Sequence, residues 1–185
     1  MRLRSWQAAN LLPATIAMGL VAGVFGDWAV TIMPGLRATD DRTFVGAFQA
    51  LDRAIYSPLF MLTFTGALVF TAVAAVLYVR GDDRSPLPWV AVAFGLYLAT
   101  FVITMAVNVP LGNGLVAAGA PDRIADLAAV RDAFDETRWA RWHVVRTLAT
   151  AAAFGCLVRA LVLHARASVP GGPRWLDDGR RPAGR

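Results

Sequence analysis

Trp139-Ala140-Arg141-Trp142-His143-Val144-Val145-Arg146 opens the last of four long apolar stretches, and its reading decides the fold and the place to look for chemistry. Taken as a helix, it sets Trp139, Trp142, His143 and Arg146 on one face, because residues at i, i+3, i+4 and i+7 align along a 3.6-residue turn. The apolar run behind it reaches Leu163, long enough for a bilayer crossing of about 20 residues. Two indoles, an imidazole and a guanidinium therefore stand at the mouth of a membrane helix. An ionisable group at that depth needs a partner or a purpose.

Working outward, the four candidate spans are about Ala8–Met33, Pro58–Val79, Pro88–Val109 and Trp142–Leu163. The chain has 185 residues and is 57% apolar, above the roughly 45–50% of soluble domains. The expected fold is all-α: an integral membrane four-helix up-down bundle over residues 1–167, with amphipathic helices in the two outer loops. Residues 168–185, rich in arginine, proline and glycine, read as a disordered cytoplasmic tail. The first apolar stretch exceeds the roughly 7–15 residues of a signal-peptide core, so it is expected to remain as an uncleaved span, with Pro13 in its first turn. Cys156 is the only cysteine, which excludes an intrachain disulfide.

All eighteen basic residues are arginine, and the net charge is +5. Placing both termini in the cytoplasm puts ten arginines against four aspartates on that side, while the outer loops and the start of the fourth span balance eight arginines with eight acids. That asymmetry follows the positive-inside rule and points to the cell (inner) membrane rather than to a nucleic-acid partner.

The first long loop carries an amphipathic stretch, Phe44–Tyr56. Gln49, Asp52, Arg53 and Tyr56 share one face of it, and Val45, Phe48, Leu51 and Ile55 the other. The second begins Val109-Pro110-Leu111-Gly112-Asn113-Gly114, where proline and glycines are expected to stop the third span. A helix after Pro121, with Ile124, Leu127, Val130 and Phe134 inward, is expected to cap the mouth of the bundle.

Asp27 lies within membrane depth near the end of the first span. Facing lipid there would cost roughly 2.5–3.5 kcal/mol, so it is expected to turn inward and pair with Arg146. Asp27, Asp52, Arg53, Asn108, Asn113, Trp139, Trp142, His143 and Arg146, with Gln49 descending from the loop, are expected to share one cavity on the outer side. Each also has a plainer reading. The tryptophans could be interfacial anchors, Asp27 with Arg146 a structural ion pair, Asn108 a helix cap, His143 a satisfied buried ring, and Asp52 with Arg53 a solvated face.

The two histidines cannot share a haem or metal. His143 and His164 are 21 residues apart on one helix, roughly 30 Å at 1.5 Å per residue. No cofactor is expected, while a metal or haem held by His143 without His164 stays open. Transport is disfavoured, since the inner half holds Thr63, Thr65 and Thr71 but no acid to relay a proton.

Four landmarks in order carry a resemblance. They are Ile32-Met33-Pro34-Gly35-Leu36, the run from Phe48 to Pro58, Asn108-Val109-Pro110-Leu111-Gly112-Asn113, and Trp139 to Arg146 with its Trp-x-x-Trp-x-x-x-Arg spacing. Together they resemble the anthrone oxygenase-like family of small four-span membrane proteins. Asp52 and Ser57 stand where asparagine is common in that pattern, and Gly112 where asparagine follows Pro-Leu. The resemblance implies a cofactor-independent monooxygenase or oxidase that oxidises a lipophilic aromatic, anthrone- or quinol-like, with O2. It further implies His143 as base, oriented by Asp27 or Asp52, with Arg146 and Asn108 stabilising an oxyanion and Trp139 and Trp142 stacking on the rings. Gln49, Asp52, Arg53 and Asn113 would complete the substrate site. The alternative is a non-catalytic membrane module binding a lipid or a protein partner. Either could self-assemble as a homo-oligomer.

Overall fold

The computed structural model describes residues 2–167, so the tail expected over 168–185 lies outside the described residues. Four helical rods are long and apolar enough to cross a membrane, and no strand occurs among the described residues. Helix α1 is Arg2–Asp27, continued by a wide turn, Trp28–Ile32, and by α2, Met33–Arg37. Helix α3 is Asp41–Ile55 and α4 is Pro58–Val79. Helix α5, Leu87–Ile103, runs through a second wide turn, Thr104–Asn108, into α6, Val109–Ala117. A single 3-10 turn and α7, Leu127–Phe134, lead to α8, Glu136–Arg166. Around the bundle α1 packs on α4 and α8, and α5 on α8 and α4. The start of α1, the end of α4 and the end of α8 meet at one face of the bundle; the two long connections cover the other, here called the loop face.

The two wide turns have one cause. Proline lacks an N–H, and its ring collides with the carbonyl four residues back, so the ladder before it must reorganise. Met33 precedes Pro34, and its N–H reaches back five residues to the Trp28 carbonyl. Val109 precedes Pro110, and its N–H does the same to Thr104. Contrary to the expectation from the sequence, Pro110 does not stop the third rod; the wide turn absorbs it, and the helix continues past Gly112 and Gly114 to Ala117. Pro13 also differs from expectation. Helix α1 starts at Arg2, so Pro13 lies in the helix interior, a position membrane helices tolerate because neighbours and side chains re-satisfy freed backbone groups.

Helix α8 buries Trp139, His143, Arg146, Thr150, Ala153, Leu157 and Ala160. Their alternating four- and three-residue steps form one seam toward the partner helices. Trp142 falls off that seam. Asp135, in the left-handed region at φ 50°, turns the chain from α7 into α8 and caps α8 through the Arg138 N–H at 3.1 Å.

Two apolar clusters result. One fills the bundle with Leu11, Met18, Phe25, Phe64, Tyr97 and Leu157. The other joins the cap to the bundle mouth through Trp28, Met33, Phe44, Phe48, Phe134 and Trp139. Arg131 latches the cap. It donates to Asp41 Oδ1 at 3.0 Å and to the Thr39 carbonyl at 3.1 Å, with its guanidinium 4.2 Å from the Phe44 ring centre. The seam between the two clusters is where the polar side chains meet.

Candidate functional site

A cavity of about 80 Å³ lies at that seam, walled by both wide turns and by α4 and α8. Widened turns of this kind recur at functional sites because they free backbone and re-aim side chains. Here Trp28 comes from the first, and Thr104, Met105 and Asn108 from the second. Phe25, Phe60, Phe64 and Trp139 supply aromatic walls.

Arg146 is the centre of the floor. It is buried, yet among the described residues no carboxylate comes within ion-pairing distance of it. Its Nε and Nη2 meet His143 Nδ1 at 3.1 and 2.8 Å, and Nη1 donates to Thr104 Oγ1 at 3.0 Å. Thr104 is oriented to accept, because its own hydroxyl donates to the Thr100 carbonyl at 2.8 Å. The guanidinium lies 4.3 Å from the Phe25 ring centre and 5.7 Å from that of Trp139, so ring faces stand in for the missing anion. An arginine carries five N–H donors, and these contacts use three. Two remain, one on each terminal nitrogen.

His143 is buried, stacked on Trp139 at 4.7 Å and 8°. Its Nδ1 accepts from Arg146, so the proton sits on Nε2, which donates to the Phe25 carbonyl at 2.9 Å. Both ring nitrogens are thus spent within the protein. The expectation of His143 as a free base is corrected on that ground: its lone pair faces a guanidinium, not the cavity.

Asn108 donates to the Trp139 carbonyl at 3.1 Å, while its Oδ1 is buried without a hydrogen-bond partner. Buried polar atoms are nearly always paired, and this one belongs to a residue that lines the cavity. Asp52 lines the cavity near its mouth and is half-buried. Burial pushes its carboxyl above the ordinary value of 3.8, against an opposing pull from Arg53. Burial, and then the Asp52 charge, also raise the Tyr56 phenol. A Cβ at Gly112 would stand 3.1 Å from Asp52 Oδ1, so the departures at 52 and 112 from the family pattern are in contact.

The structure therefore joins Trp139, His143, Arg146, Asn108 and Asp52. Five expected members lie elsewhere. Asp27 is exposed on the side of its helix turned away from the cavity and does not pair with Arg146. Trp142 is exposed, one position off the buried seam, as an interfacial anchor would be. Arg53 folds back onto the Gln49 carbonyl at 3.0 Å and Oε1 at 3.2 Å. Gln49 is buried but works on backbone, donating to the Leu115 and Gly119 carbonyls, each at 2.9 Å. Asn113 is exposed on α6. Sequence reasoning missed Phe25, Thr104, Tyr56, Met61 and Met105. Thr104 left a signal, four residues before Asn108 on the same helical face, and so did Tyr56, four residues after Asp52 on the polar face of the first loop helix.

An aromatic-walled recess holding a buried guanidinium without a carboxylate partner and an unpaired carboxamide oxygen defines a helical membrane protein with a polar pocket among its loop-face helix ends. The anthrone oxygenase family model matches residues 60–156, just over half of the chain. The chain belongs to that family. The match holds Thr104, Asn108, Trp139, His143 and Arg146, while Asp52 and the α1 wall precede it. No curated protein and no solved structure matches.

Proposed function

We propose that this chain is a membrane oxidoreductase that oxidises an anthrone- or quinol-like aromatic with O2 in the recess at the loop face. The observation that carries the reading is Arg146, a buried cation without a carboxylate partner, lining an aromatic-walled cavity. An anthrone has a CH2 made acidic by the ketone across the ring. Asp52 takes one of those protons, and the two remaining N–H groups of Arg146 stabilise the enolate oxygen as charge develops there. His143 and Thr104 hold the guanidinium in place. Asn108 Oδ1 accepts from a hydroxyl on the substrate rim, and Trp139 packs beside the ring system.

The balance closes without an external reductant. The enolate gives one electron to O2, the radical pair joins as a carbon-bound peroxide anion, and the proton held by Asp52 passes to it to give the hydroperoxide. Its O–O bond then breaks as the second C–H proton leaves, forming the new carbonyl and releasing water. One oxygen atom enters the product and the other leaves as water with the two hydrogens. The reading calls for no metal or cofactor. The arginine distribution further supports a loop face on the non-cytoplasmic side.

The test is oxygen uptake and anthraquinone absorbance from purified protein in detergent supplied with anthrone, with ¹⁸O2 to trace the new carbonyl oxygen. Acceleration over a heat-inactivated sample is expected, with one labelled atom in the product. A rate equal to that control would refute the reading.

A further inference from the structure

Exposure of the lining residues grades from mouth to floor, and the gradient shows where the cavity opens. His143 and Arg146 at the floor are 1% and 7% exposed, while Tyr56, Met61 and Met105 are 48%, 36% and 43% exposed. The exposed three come from the start of α4, the residue pair before it and the wide turn after α5. The mouth therefore lies between the loop-face ends of α4 and α5, opposite the α1 and α8 wall. Met61 stands about 5 Å inside the end of α4 and Met105 about 6 Å before Val109, at 1.5 Å per residue. Their surroundings, Leu59, Leu62 and Val102, are exposed and apolar, as on a lipid-facing surface. Just inside, Phe60 and Phe64 stack at 5.8 Å, and Phe64 stacks on Phe101 at 5.3 Å across the α4–α5 seam.

Resting on the reading of this recess as a substrate site, we propose that its substrate is an aromatic enol or phenol bearing an aliphatic tail, admitted sideways from the bilayer between α4 and α5. The acidic edge goes in first, because the polar groups that receive it, Arg146 and Asn108, lie at the buried end. The opposite edge is left at Met61 and Met105, beside the exposed apolar surface of Leu59, Leu62 and Val102. A tail there continues into lipid without desolvating anything. Methionine suits such a gate, being unbranched and able to repack around varied shapes. Asp52, from the end of α3, and Tyr56, from the turn before α4, line the loop-face side of the same opening, so the carboxylate meets the ring rather than the tail. At about 80 Å³ the cavity is smaller than the roughly 300–1,000 Å³ of ordinary ligand sites, which fits a site that encloses the head and leaves the remainder in the membrane.

The test uses full-length protein in nanodiscs and 4-decylphenol carrying a photoactivatable diazirine in its chain, with decane bearing the same diazirine as the headless control. Labelled residues are mapped by mass spectrometry, and oxygen uptake with tail-free anthrone is measured separately. Label enriched several-fold at Met61 and Met105, dependent on the phenol head and suppressed by excess anthrone, is expected. Met61→Trp should reduce it several-fold, while Leu62→Trp, beside the mouth but not lining it, should not. Label distributed as for the headless control, or concentrated on α1 or α8, overturns the proposal even if anthrone is oxidised. Label at the mouth without any oxygen uptake sustains the lateral opening and removes the enzymatic reading instead.

Discussion

Arg146→Met separates a binding guanidinium from a merely structural one. The change deletes three hydrogen bonds, two to His143 Nδ1 and one to Thr104 Oγ1, and two ring contacts. His143 Nδ1 is left buried and unpaired at about 1–3 kcal/mol, and each lost ring contact costs about 0.5–2 kcal/mol. Against this, the buried charge itself disappears, and the desolvation it carried amounts to several kcal/mol. These terms nearly offset, so thermal stability in detergent should change little. Turnover should not be spared. Loss of a preorganised donor to a developing oxyanion costs about 10²–10³ in kcat. Arg146→Lys keeps a charge but cannot span His143 and Thr104 as a planar fork does, so it should recover only part of the rate. The assay is anthrone oxidation at saturating substrate beside a fluorescence melt of the same sample. Arg146→Met turning over within about threefold of wild type, less than 1 kcal/mol in the barrier, would refute the assignment.

Asp52→Asn should slow turnover and remove the acid limb of the pH–rate profile, because the ionised carboxylate is the form that accepts a proton. Its carboxyl is raised above 3.8 by burial, so the folded protein keeps that proton to higher pH than the unfolded chain. The resulting stability contribution is largest below the unfolded value and falls as pH rises through the raised one; Asp52→Asn should therefore melt higher than wild type at neutral pH, which melts across pH would check. On the opposite face, a Cβ at Gly81 would collide with the Gln7 amide, which donates to the Leu77 carbonyl at 3.1 Å. Gly81→Ala should lower stability by about 1–3 kcal/mol while kcat stays unchanged, separating general destabilisation from damage to the site.

The membrane bundle was legible in the residues alone because hydropathy over about 20 residues is a one-dimensional property. So was the family, carried by short motifs in order. The Pro34 and Pro110 landmarks were visible too, although their consequence was misjudged: they widen turns instead of ending helices, because each rod continues beyond its proline under cover of the cap. Spacing on α8 correctly grouped Trp139, His143 and Arg146 but also admitted Trp142. A 3.6-residue period cannot say which edge of a broad stripe the neighbouring helices will bury. Charge logic joined Asp27 to Arg146, yet linear order does not tell a carboxylate on the exposed side of a helix from one turned into the bundle. The face of α8 itself supplies His143 and the Trp139 ring. Only the packing of α1 and of the wide turn after α5 against it adds the Phe25 ring and Thr104, and so leaves a cation without an anion in the cavity that the unpaired Asn108 oxygen shares. Partners supplied from other helices, such as the Phe25 ring and its carbonyl, are set by three-dimensional proximity, and they leave no pattern along the chain.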